Sequence, residues 1–225
     1  MVMPIKWRLY MLVWISKNIT SRQVKPIIFC LSLLPVFRLI WLGFHDGLTA
    51  NPIEFVLRST GTWTLNFLCF TLAITPLRQL SHWNELIKYR RMLGLFCFFY
   101  ACLHLSIWTG IDRQLDWQQI SEDILKRIYI WFGLSAFLLL VPLALTSTKN
   151  MQKRLGRKWG ALHRLIYLTA LLALVHYWLH KAGKNDYLIV NIYIGVVFIL
   201  LGWRIGRYFY KKHDNQPIKQ QQTKT

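Results

Sequence analysis

Three imidazoles lie inside long apolar stretches of this chain: His104, His163 and His176. A histidine buried in a membrane-length apolar run is costly and is kept for a partner or a task. Imidazoles on neighbouring helices of a membrane bundle hold haem iron from its two faces. The chemistry on offer is therefore reversible electron carriage more than bond making. The plainer alternative is a hydrogen-bonded histidine that only packs.

His104 and His176 lie in the second halves of two runs that start on the same side of the membrane. They share a depth toward the outer leaflet and suit the two axial positions of one haem. His163 precedes His176 by thirteen residues, roughly 19.5 Å of helix rise. On an ideal helix these two are about 140° out of phase. Two haems stacked along it would need different approach angles or a local distortion. The position thirteen before His104 is Arg91. An inner site thus offers His163 and, facing it, a cation. Arg91 or Arg90 either pairs with a haem propionate or faces phospholipid headgroups. One turn before each histidine stand Ala101, Gly160 and Ala173. Small residues there leave room for a flat porphyrin, and equally let membrane helices approach closely. His180 is expected at the outer interface, with a His176/His180 metal pair as the alternative. His45, His82 and His213 fall at loops or ends and are expected to be solvated.

The elements that must position these residues are membrane helices. Of 225 residues, 54% are hydrophobic and 9 are acidic. A spanning helix needs about 20 mostly apolar residues. Six runs qualify, near 25–44, 60–79, 92–111, 128–147, 161–180 and 187–208. The expected fold is an all-α membrane protein, a six-helix bundle. Residues 25–208 form the haem-binding domain, 1–24 a cytoplasmic or interfacial leader without a cleavage site, and 209–225 a disordered cytoplasmic tail. The net charge of +19 clusters at the ends of the runs, a membrane pattern that argues against nucleic acid as partner. Arg78, Lys88, Arg90 and Arg91 fall between the second and third runs, and Lys149, Lys153, Arg154, Arg157 and Lys158 between the fourth and fifth. The opposite loop carries Asp112, Asp116, Glu122 and Asp123. The excess of lysine and arginine on alternate loops puts both termini in the cytoplasm.

Segment 112–127 reads either as a short interfacial helix or as a plain connector. Pro76 is expected to end the second helix and Pro142 to kink the fourth. Arg38 either pairs with the bundle interior or snorkels to an interface, with snorkelling favoured. Cys30, Cys69, Cys97 and Cys102 read as small hydrophobes inside apolar runs. No internal repeat or glycine-rich nucleotide loop is legible.

The segments NPIEFVLRSTG (51–61), TLAITPLR (71–78), RRMLGL (90–95), PLALTST (142–148) and LHRLIYL (162–168) together resemble the MsrQ (YedZ) family. More broadly, the chain resembles the ferric reductase-like six-helix membrane domain. The resemblance covers about residues 25–205. It implies a haem-binding membrane subunit of the MsrPQ methionine sulfoxide reductase system, in the bacterial inner membrane, with b-type haem (one or two) and FMN. It implies electron flow from the quinone pool or a cytosolic flavin reductase to MsrP, a periplasmic molybdopterin enzyme that repairs oxidised periplasmic proteins. His104, His163 and His176 match the family's intramembrane histidines, and serve as haem-iron ligands by that likeness. The wider ferric reductase group usually pairs four histidines, and Arg91 stands where the fourth would be. No bond-making catalytic residue is read, so the expected role is an electron-transfer subunit.

Two other classes fit an apolar, histidine-bearing chain. One is a proton-coupled small-solute transporter, although no pair of broken helices is legible. The other is a structural membrane subunit without haem. A colourless purified protein would favour either of them.

Overall fold

The computed structural model describes residues 21–182 and 187–214. The expected leader up to residue 20 and the tail from residue 215 lie outside the described residues. Within them the chain is helical: α1 (Ser21–Phe44), α2 (Pro52–Ser81), α3 (Ile87–Ser106), α4 (Trp117–Lys126), α5 (Ile128–Leu145), α6 (Lys149–Leu155), α7 (Arg157–Leu162), α8 (Leu165–Ala182) and α9 (Leu188–Asp214). A 3₁₀ turn, Asn84–Leu86, leads into α3, and a π-helical stretch, Ile107–Asp112, follows it.

Five of the described helical stretches are long and apolar enough to cross a membrane: Val24–Phe44, Asn84–Asp112, Ile128–Leu145, Arg157–Ala182 and Leu188–Tyr210. Their outward faces stay apolar: Ile27, Leu31, Leu34, Phe37, Leu138 and Ile199 are all exposed. A helix apolar all round suits lipid better than water. The remaining expected span is α2. It has the length, 30 residues, but its five threonines and Asn66 make it less apolar than the others. The hydroxyls of Thr60, Thr64 and Thr71 turn back onto carbonyls three or four residues earlier, at 2.7–3.0 Å. These donors are thus satisfied within the helix.

The helices gather into two compact units, one up to Leu115 and one from Asp116. In the first, α2 packs along α3 and α1 lies against both. Phe67 of α2 stacks on Phe96 and Tyr100 of α3, with ring centroids 5.6 and 5.2 Å apart. The Tyr100 hydroxyl donates to the Ser32 carbonyl of α1 at 2.8 Å. The interior thereby ties all three helices, with Leu68, Leu72 and Cys97 fully buried beside it. Pro76 does not end α2, which continues to Ser81. Its ring is buried, and a membrane helix tolerates the lost donor when packing and neighbouring hydroxyls support the backbone.

In the second unit α5 packs on α8, and α8 also meets α9. Segment 112–127 is resolved in favour of the helix. Asp116 caps α4 by accepting from the Gln118 and Gln119 amides at 2.9 and 3.2 Å, which satisfies otherwise orphaned donors. Ile120 is its buried residue. Pro142 lies inside α5. The run expected at 161–180 is not one helix. It breaks at His163 and Arg164, between α7 and α8, where i→i+3 bonds link Arg164 to Ala161 and Tyr167 to Arg164. The break lies at His163 itself, so His163 and His176 do not share one uninterrupted helix.

Candidate functional site

In the first unit, His104 lies near the end of α3, just before the π-helical stretch. Its Nδ1 is 3.0 Å from the carbonyl oxygen of Leu57, in the second turn of α2. A carbonyl can only accept, so Nδ1 carries the proton. The neutral ring then has its lone pair on Nε2, the usual posture of a metal-ligating histidine. The approach is close because Gly61, one turn on from Leu57, has no side chain. A Cβ there would lie 3.0 Å from Cε1 and 3.1 Å from Nδ1 of His104. The Thr60 hydroxyl shares the Leu57 carbonyl at 2.9 Å.

The second unit holds the same device. Nδ1 of His176 on α8 is 2.8 Å from the carbonyl oxygen of Tyr129, at the start of α5. A Cβ on Gly133 would come within 2.6 Å of that Nδ1. Each histidine bonds a carbonyl 47 residues earlier. Leu57 and Tyr129, Gly61 and Gly133, His104 and His176 are each 72 residues apart. This repeat is hard to read in the sequence, because only Gly61/Gly133, Leu68/Leu140, Leu93/Leu165, Ala101/Ala173 and His104/His176 are identical between 57–104 and 129–176. The small residues whose Cβ would meet the imidazoles of His104 and His176, Gly61 and Gly133, stand on the facing helix. A Cβ at Gly160 would meet nothing within 4 Å beyond its own helix.

His180, expected at the exposed interface, is half-buried. Its ring meets the Tyr129 ring edge-on at 5.4 Å, and the same Tyr129 ring lies 5.7 Å from His176.

His163 is posed differently. Its Nε2 is 3.1 Å from Oγ1 of Thr146. That hydroxyl donates to the Pro142 carbonyl at 2.6 Å, so toward His163 its oxygen accepts and Nε2 carries the proton. Trp159 stacks on the imidazole at 4.1 Å and donates through Nε1 to the Thr146 carbonyl at 3.0 Å. Thr146 and Tyr129 are seventeen residues apart along α5 and its cap, about 25 Å of rise. Within this unit His163 and His176 therefore mark opposite ends of the α5–α8 pair. Arg91 is exposed in the second turn of α3, on the first unit, thirteen residues before His104.

The donor set fits haem at two of these imidazoles. His104 and His176 carry the lone pair on Nε2, with a backbone acceptor fixing the ring. His163 would offer Nε2 to iron only after giving up Thr146.

A model of the ferric reductase like transmembrane component matches residues 60–174. Among curated relatives, the protein-methionine-sulfoxide reductase heme-binding subunit MsrQ of Ralstonia nicotianae is 54% identical over 185 residues, 82% of this chain and 85% of the relative. MsrQ of Herminiimonas arsenicoxydans is 50% identical, covering 87% of this chain and 90% of the relative. MsrQ of Bordetella pertussis is 47% identical, covering 84% and 92%.

Proposed function

The chain belongs to the MsrQ family of protein-methionine-sulfoxide reductase heme-binding subunits, within the ferric reductase-like transmembrane proteins, and we propose that it carries electrons across the bacterial inner membrane to a periplasmic reductase. The acceptor in this reading is MsrP, which reduces methionine sulfoxide in oxidised periplasmic proteins. The donor is the quinone pool or a cytosolic flavin reductase. The cofactor is haem b. FMN enters through the family resemblance alone.

The observation that carries the reading is the matched pose of His104 and His176. Both rings have Nδ1 on a backbone carbonyl, and both are proposed as haem-iron ligands. Haem supplies reversible one-electron uptake and release at its iron. The protein's part is to hold the rings, raise their basicity through the carbonyl acceptors and keep water away. His163 is assigned to an inner redox site at the other end of α5, and Arg91 to a propionate or to a supporting role. In this role the protein itself need not make or break a substrate bond.

Placement follows from charge. The basic residues lie at the end of α2 and the start of α3 (Arg78, Lys88, Arg90 and Arg91), across α6 and α7, and at the end of α9 (Arg207, Lys211 and Lys212), so the reading is six spans over residues 25–208 with both termini cytoplasmic. Residues Lys149, Lys153, Arg154, Arg157 and Lys158 on α6 and α7 are exposed and suit an acidic donor protein or anionic lipid.

The pathway is tested by methionine sulfoxide reduction in the periplasm of a strain lacking this chain. The proposal expects delivery to the reductase to stop and to return with the intact gene. Normal delivery without the chain would overturn it.

A further inference from the structure

Glycine in a helix interior is unfavourable relative to alanine, so its use there calls for a physical reason. Among the described helical glycines, Gly43, Gly94, Gly160, Gly195, Gly202 and Gly206 would meet a Cβ with open space or ordinary contact at 3.6 Å or more. Gly61 and Gly133 alone would not. Their Cβ atoms would press on one thing each, an imidazole ring, at 3.0 and 2.6 Å. Both stand one turn after the carbonyl that takes the Nδ1 proton.

We propose that Gly61 and Gly133 are positioning residues for the haem ligands: each vacates the space that lets its histidine reach the backbone carbonyl, and so sets the ring orientation and donor strength of that ligand. This rests on the reading of His104 and His176 as iron ligands. The two copies are not equal. The contact is tighter at Gly133 and the hydrogen bond there is shorter, 2.8 against 3.0 Å. The Leu57 carbonyl also serves Thr60, whereas position 132, the counterpart of Thr60, is a phenylalanine with no hydroxyl. His176 is therefore the stronger donor of the two.

A methyl group at position 133 pushes the ring off the Tyr129 carbonyl. The obstacle is a side chain, so the ring yields before the helix pair does. Loss of the Nδ1 acceptor weakens donation to the iron and favours the ferrous state. At the wild-type midpoint potential, Gly133→Ala is expected to raise the reduced-to-oxidised ratio about fivefold, the scale of one hydrogen bond. Gly61→Ala is expected to raise it less. Gly94→Ala and Gly202→Ala should leave it unchanged.

The experiment is a redox titration and low-temperature electron paramagnetic resonance of full-length, haem-loaded protein, with haem counted per polypeptide. A shifted potential and altered low-spin signal in the order Gly133→Ala, then Gly61→Ala, then the controls supports the proposal. Native potential and signal in Gly133→Ala at full haem content overturns it, as do equal shifts in the controls. Should Gly133→Ala fail to accumulate, Gly61→Ala decides alone: a shift supports, and none overturns. His176→Ala separates the two layers. If it keeps the native haem spectrum, the ligand reading fails. If it loses the spectrum while the glycine variants stay native, only the positioning role fails.

Discussion

Replacing Thr146 by valine removes the hydroxyl that occupies Nε2 of His163. The bond is 3.1 Å long, and the same oxygen donates to the Pro142 carbonyl at 2.6 Å. An iron ligand at Nε2 must first break the His163–Thr146 bond, which costs about 1 kcal/mol net. Valine removes that cost and keeps the shape. Trp159 still donates to the residue 146 carbonyl, because that contact is to the backbone. A cost of about 1 kcal/mol corresponds to roughly a fivefold change in an equilibrium constant. Haem affinity at the inner site should therefore tighten about fivefold in Thr146→Val and stay near wild type in Thr146→Ser. The assay is haem titration into haem-depleted protein, with a pyridine haemochrome count at each step. Weaker inner binding in Thr146→Val would refute the reasoning, because it would mean that the hydroxyl orients His163 for its ligand instead of competing with it.

Other expectations follow from the same contacts. Tyr100→Phe deletes the buried bond to the Ser32 carbonyl and should destabilise the first unit by about 1 kcal/mol, read as a shifted midpoint in denaturant unfolding; an unchanged midpoint would contradict the role given to that bond. On α4, Lys126 donates to Glu122 at 2.8 Å and, with its charge, holds the Glu122 carboxyl below the usual carboxylate range. A depressed carboxylate contributes stability above its unfolded pKa and loses it as pH falls through the lowered folded value. Lys126→Met should return the Glu122 titration, followed by carbon-13 NMR, toward the ordinary value. No upward movement would refute the assigned cause.

The membrane class was legible because apolar runs of spanning length are the strongest signal a chain can carry. α2 is the exception that explains the rule. Its threonines lower its apolarity, while their hydroxyls are absorbed by the backbone. The break at His163 was not legible, since the sequence offers no proline or glycine at 163–164 to mark it. Pro76 misled for the opposite reason: a residue that usually stops a helix is carried through by burial. The helix at Trp117–Lys126 was one of two readings of segment 112–127; its cap at Asp116 and its buried Ile120 are seen in the structure. At the candidate site the imidazoles were legible by residue type. Their partners were not, because Leu57 and Tyr129 act through backbone carbonyls that any residue would supply. Gly61 and Gly133 act by absence, on a helix far away in sequence. Their common spacing of 72 residues from one copy to the next was the available signal, and it emerges only once the hydrogen bonds are known.

The most direct test of the central claim is a dithionite-reduced minus oxidised absorption spectrum with haem counted per polypeptide, taken on the wild type, His104→Ala and His176→Ala. A b-type spectrum in the wild type, with haem content lowered in both variants, is the expected result. A colourless wild type under ample haem supply, or variants with native haem content and spectrum, would contradict it.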